Sequence, residues 1–166
     1  SSRTFQMKKK YQIINVVSTP VIYKDKFLLI RRTKPPYKNL WSMVGGKLEI
    51  GEHVEESIVR EVKEETTLTA KFIALRGVVS EILKEQGKVN GHFILWVCET
   101  EAVNGEAKEQ YEGKVKWFTK AELVKSKSKI IPSDYAMIDE FFIKKRQRLF
   151  LHKAHMHMNG KTYTLE

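Results

Sequence analysis

An apolar run, Leu40-Trp41-Ser42-Met43-Val44, leads into Gly45-Gly46, and the stretch from Gly46 to Leu68 (GKLEIGEHVEESIVREVKEETTL) is spaced for a helix rich in acid. Glycines where a strand gives way to a helix let the backbone turn sharply and bring its amides or carbonyls close to a ligand, and Gly51 adds a third. With about 3.6 residues per turn, Glu61 stands one turn from both Glu64 and Glu65, so the three carboxylates share a side of the helix expected over 53–65. Ile58, Val59 and Val62 define an apolar stripe about a quarter turn away, so one side packs and its neighbour faces a cleft. Carboxylates that close raise one another's pKa unless a cation or proton sits among them. Metal binding is the expectation. The competing reading is a solvated acidic helix with Glu56–Arg60 and Arg60–Glu64 pairs worth ~0.2–0.5 kcal/mol each.

The spacing decides between them. Gly46, Glu52, Arg60, Glu61, Val62, Glu64, Glu65 and Leu68 stand in register with the signature of the Nudix hydrolases, which the segment resembles at eight of nine specified positions. The ninth, a late glycine, is Thr67. That resemblance implies an α/β fold, the Nudix α/β/α sandwich around a mixed β-sheet. It implies hydrolysis of a nucleoside diphosphate linked to another group, with Mg²⁺ or Mn²⁺ held by Glu61, Glu64 and Glu65 and by the carbonyl of Gly45. Arg60 is implied to pair with Glu52 and hold the carboxylates in place. The general base in this family comes from the box or from a later loop; Glu64 is the candidate, with Glu109 and Glu112 as outside alternatives.

The chemistry of the donors agrees. Hard divalent cations prefer oxygen ligands, and Mg²⁺ bridges a few carboxylates to substrate phosphates while keeping water. Thr67 puts the helix exit in question, because a β-branched residue adopts the left-handed conformation at a cost of about 1 kcal/mol or more.

At 166 residues and 42% hydrophobic, the chain is long and apolar enough for one domain with its own core. Residues 7–148 are expected to form it, residues 149–166 a hairpin-like extension, and residues 1–6, ahead of Met7, no part of the fold. The apolar stretch after Lys8-Lys9-Lys10 is broken by Pro20, Lys24 and Asp25, so no membrane span or secretory signal is read. The single cysteine, Cys98, reads as a buried thiol, and a cytoplasmic location follows as the expectation.

Strands are expected near 12–23, 27–32, 40–44, 70–83, 92–100 and 114–118, with helices near 120–125 and 134–147, the latter capped by Ser133. Asn159-Gly160 marks a tight turn in a hairpin from Leu149 to Leu165, which places His155 and His157 on one face. Two histidines without a third ligand make a weak metal site; a strand for self-association, giving a homodimer, is the stronger reading.

A net charge of +10, partly at Lys144, Lys145, Arg146 and Arg148, suits an anionic partner, here a nucleotide substrate. The loop Arg31 to Lys38 is a candidate holder of phosphate or base, and Trp41, Phe93 and Trp96 are candidates for a stacking wall. ADP-ribose enzymes of the family often carry a proline some fifteen residues beyond the box, whereas this chain has none from 37 to 131. By elimination the leading reading is a nucleoside or deoxynucleoside triphosphate pyrophosphohydrolase, including one for oxidised guanine nucleotides. The alternatives are an ADP-ribose or nucleotide-sugar pyrophosphatase, a non-catalytic nucleotide sensor, and an RNA-decapping enzyme. The chain lacks the aromatic strand motifs of common RNA modules.

Overall fold

The computed structural model describes residues 12–106, 114–146 and 151–166, with Leu151 and His152 described by backbone alone. The chain runs β1 (Ile13–Thr19), β2 (Val21–Tyr23), β3 (Lys26–Arg31), β4 (Trp41–Ser42), β5 (Val44–Lys47), α1 (Val54–Thr66), β6 (Ala70–Glu85), β7 (Lys88–Ala102), β8 (Val115–Phe118), α2 (Lys120–Lys125), a 3₁₀ turn (Lys127–Lys129), α3 (Pro132–Ile138), a π-helical turn (Asp139–Ile143), β9 (Leu151–Asn159) and β10 (Thr162–Leu165). Among the described residues no helix is long and apolar enough to cross a membrane.

The strands form one mixed sheet in the order β10-β9-β6-β7-β2-β3-β4, with β1 between β7 and β5 and with β8 on β3. β1 runs parallel to β7, and β9 parallel to β6; the other long pairings are antiparallel. Strand β3 shows why both faces are covered. Its side chains alternate, Leu28 and Ile30 packing with Ile58 and Val62 of α1, Phe27 and Leu29 with Leu123, Met137 and Ile138 of α2 and α3. Helices therefore flank the sheet on both sides, as the α/β/α expectation requires.

Several boundaries differ from the sequence reading. The first expected strand breaks at Pro20 into β1 and β2. The run at 40–44 divides at Met43, whose N–H leaves the ladder to donate to Asp134 Oδ2 at 2.8 Å, so Gly45 and Gly46 lie inside β5 rather than after it. The helix expected over 134–147 begins earlier and ends sooner. Pro132 occupies its first turn, where a missing N–H costs nothing, so Ile131 and not Ser133 is the cap. Beyond Ile138 the backbone widens into the π turn, Lys144 N–H donating to Asp139 O five residues back.

The hairpin forms as expected, with Gly160 at φ 63°. Its use differs. β9 pairs with β6 of the same chain, Ala154 and Met156 facing the core, while His157 turns outward to Glu166. The strand read as a self-association surface is thus consumed inside the sheet, and β10 forms the edge.

Candidate active site

Helix α1 lies across β5, β6 and β1, with Ile58 and Val62 fully buried. Glu65 follows at the next helical step after Val62 and is itself only 8% exposed, on the packed face rather than the open one. Its burial is compensated by the strand beneath: Gly45 N–H donates to Glu65 Oε2 at 3.3 Å. Glu61 lies over the next residue. A Cβ on Gly46 would sit 2.5 Å from the Glu61 carboxyl carbon, so the missing side chain is what gives that carboxylate its seat. A Cβ on Gly45 would meet the Val17 carbonyl at 1.9 Å, across the β1–β5 ladder. The two glycines thus serve different ends, one strand packing and the other a carboxylate.

Arg60 ties the acidic residues together. It grips Glu52 with two bonds, Nε to Oε2 at 2.7 Å and Nη2 to Oε1 at 2.8 Å, and its Nη1 reaches Glu61 at 2.8 Å and Glu64 at 3.2 Å. Such forked pairs combine charge with fixed direction. The hydrogen bond from Arg60 holds the Glu52 carboxyl down to about 2, and Glu52 and then Glu61 push the guanidinium pKa further above its usual range. Glu64 is the open member, its side chain 58% exposed against 12% for Glu61.

Glu61 and Glu65 thus sit over neighbouring glycines of one strand, with Glu64 at the rim. In this arrangement Arg60 supplies positive charge to Glu61 and Glu64, and among the described residues no three acidic, histidine or cysteine side chains stand together as a ready metal cluster. The donor set nevertheless fits a hard divalent cation in kind: carboxylate oxygens around a strand whose Gly46 leaves a cradle that a Cβ would fill.

Of the other candidates, Glu109, Glu112 and Arg148 lie outside the described residues. Cys98 is buried, which pushes its thiol up to about 12. The three aromatics do not make one wall. Trp41 and Phe93 pack with the cluster beneath α3, whereas Trp96, an odd number of residues from Phe93 on β7, packs on the α1 side. In the loop after β3, Arg32 Nε donates to Pro36 O, and Tyr37 is buried against Tyr163 of β10, whose hydroxyl accepts the Tyr37 N–H at 2.9 Å. Beside it lie Glu81 and Ser133, both buried, and the half-buried Asp134; desolvation raises Glu81 and lifts Asp134 to about 7. Sequence reading did not single out Glu81 or Asp134. Their signal was faint: an acid in a β-rich strand, and an acid in the first turn of a helix.

The fold and these residues define an α/β/α sandwich with an acidic helix seated on a glycine strand. The NUDIX domain model matches residues 14–141, and the chain belongs to the Nudix family. It is 40% identical over 104 residues to the ADP-ribose pyrophosphatase of Methanocaldococcus jannaschii, a match covering 60% of this chain and 60% of that protein, so the chain spans less than two thirds of that relative. Among solved structures, a MutT protein from Bacillus halodurans is 26% identical with a TM-score of 0.70, covering 93% of this chain and 98% of that one. A bifunctional NMN adenylyltransferase/ADP ribose pyrophosphatase from Francisella tularensis, complexed with AMP and a manganese ion, shares the fold at 20% identity and a TM-score of 0.66, over 87% of this chain and 45% of that one.

Proposed function

We propose that the protein hydrolyses the phosphoric anhydride bond of nucleoside diphosphate derivatives, with Mg²⁺ or Mn²⁺ held by Glu61, Glu64, Glu65 and the Gly45 carbonyl. The observation that carries this reading is the seating of Glu61 and Glu65 on adjacent residues of one glycine strand, with Arg60 bracing the set from the far side. The ion, when bound, supplies charge to phosphoryl oxygens and acidifies water. The chain does the rest. Because Nε and Nη2 of Arg60 are committed to Glu52, Nη1 is the nitrogen that faces Glu61 and Glu64. A cation can take over that contact while the guanidinium stays anchored, so Arg60 is a positioning residue. Glu64, exposed and at the rim, is placed to accept the proton of the attacking water.

Two substrate classes are favoured by specific observations. The relative named for ADP-ribose favours that compound. The lack of proline between 37 and 131 favours nucleoside or deoxynucleoside triphosphates. The test is product release from a panel of triphosphates, ADP-ribose, nucleotide sugars and capped RNA with Mg²⁺ or Mn²⁺. Glu61→Gln and Glu64→Gln are expected to lower turnover by about a thousandfold or more in folded protein, and Arg60→Ala by a smaller factor. Full turnover in both glutamine variants would remove these side chains from the mechanism. Binding without turnover in the native chain would make it a sensor.

A further inference from the structure

A second cavity of about 570 Å³ shares no lining residue with the box; it opens where β6 begins and β7 ends, beneath the β2–β3 turn and the π turn. Three breaks in regular structure meet at its wall. On β6, Leu75 pairs with Cys98 and Gly77 with Val97, so Arg76 is the extra residue of a β-bulge, and its side chain enters the cavity. The π turn delivers Phe141 and Phe142 to the floor, and Gly77 admits it: a Cβ there would lie 2.4 Å from the Phe141 ring. Past the turn, Lys145 takes a left-handed φ of 49° and also lines the space. Bulges, π turns and left-handed non-glycine residues each cost conformational energy and gather where a side chain must be aimed at a ligand.

The charges are of one kind in excess. Arg76, Lys120, Lys145 and Arg146 line the cavity against the carboxylates of Asp25 and Glu99. Arg76 is paired with Glu99 at 2.6 Å, and Arg146 lies 3.5 Å from Glu140, while Lys120 and Lys145 form no ion pair among the described residues. Cations on the rim and an aromatic floor suit an anion attached to a flat or apolar body. The volume falls in the range of small-molecule sites, roughly 300–1,000 Å³, rather than that of an open polymer track. We infer that this cavity is a second binding site, separate from the box, for a small phosphate-bearing molecule of mononucleotide size.

The experiment titrates the 166-residue chain with AMP, and separately with inorganic phosphate, in EDTA, so that metal-dependent binding at the box is absent. Amide shifts in ¹H–¹⁵N spectra are expected at Arg76, Gly77 and Lys145, with Gly45, Gly46 and Glu61 unmoved. Lys120→Gln combined with Lys145→Gln should weaken AMP binding about tenfold or more, and Glu61→Gln should leave it unchanged. Because the shifts are read in the native chain, the site is tested even if the double variant is unstable. No shift around the cavity at millimolar AMP or phosphate overturns the assignment. So do shifts confined to the box, or cavity shifts produced by an RNA oligonucleotide and by neither small molecule.

Discussion

Thr67→Gly isolates the one place where the chain departs from the family signature. Thr67 ends α1 in the left-handed region, φ 66° and ψ −4°, its N–H donating to Lys63 O at 3.0 Å and its carbonyl accepting from Lys63 Nζ at 3.0 Å. The left-handed conformation costs an L-residue roughly 1–2 kcal/mol, and a β-branched one sits toward the upper end. Glycine removes that strain and keeps both backbone bonds. Against it stand the extra freedom of glycine in the unfolded chain, about 0.5–1 kcal/mol, and the weak local bond from Thr67 Oγ1 to Thr66 O. The net expectation is a gain of about 0.5–1 kcal/mol, hence a Tm rise of roughly 1–4 °C for a chain of this length. Thr67→Ala is the control, since it deletes the hydroxyl but keeps a Cβ at positive φ. Urea unfolding and thermal melts of the three proteins, with metal affinity measured alongside, decide the matter. The expected order of stability is glycine above threonine and alanine, with metal affinity nearly constant. A glycine variant no more stable than the alanine one would refute the strain argument, and a large change in metal affinity would show that the helix exit shapes the site.

Gly46→Ala should lower turnover by about ten- to a hundredfold with the melting temperature almost unchanged, because the new Cβ displaces the flexible end of Glu61; Gly45→Ala meets the Val17 backbone instead and should show its main effect in the melt. Glu52 has its pKa lowered from 4.5 to about 2 by Arg60, so its contribution to stability is whole above about 4.5 and fades as the pH falls toward 2. Glu52→Gln should flatten acid unfolding in that window, and an unaltered profile would contradict the pairing. Asp134 has the opposite sign: raised by burial from 3.8 to about 7, it keeps its proton in the fold while the unfolded chain releases it, so stability falls between those values and stays lower above 7. Unfolding free energies of Asp134→Asn measured from pH 4 to 8 should show a shallower decline than the native chain's.

What could be read from the residues was local. The box helix, its carboxylate side, the Asn159-Gly160 hairpin and most strands follow from periods of 3.6 and 2 and from turn chemistry, each contained within a few residues. The pairing of Arg60 with Glu52 came instead from the family resemblance, since helical spacing by itself pointed Arg60 to Glu56 and Glu64. The misreadings share a cause. Ser133 lost its capping role to Pro132, and the aromatic trio fell on two faces of the sheet.

Tertiary structure alone decided the partner of β9, the departure of the Met43 N–H to Asp134, and the cavity beneath the π turn. Each depends on segments far apart in the chain, Met43 and Asp134 by 91 residues. Such contacts form because the sheet brings buried surface together across long loops, and loop closure has no signature in the spacing of neighbouring residues. By itself the amino-acid order determined which carboxylates share one helix and which residues flank it. Where those side chains sit, and what else the molecule is shaped to receive, was settled by packing on both faces of one sheet.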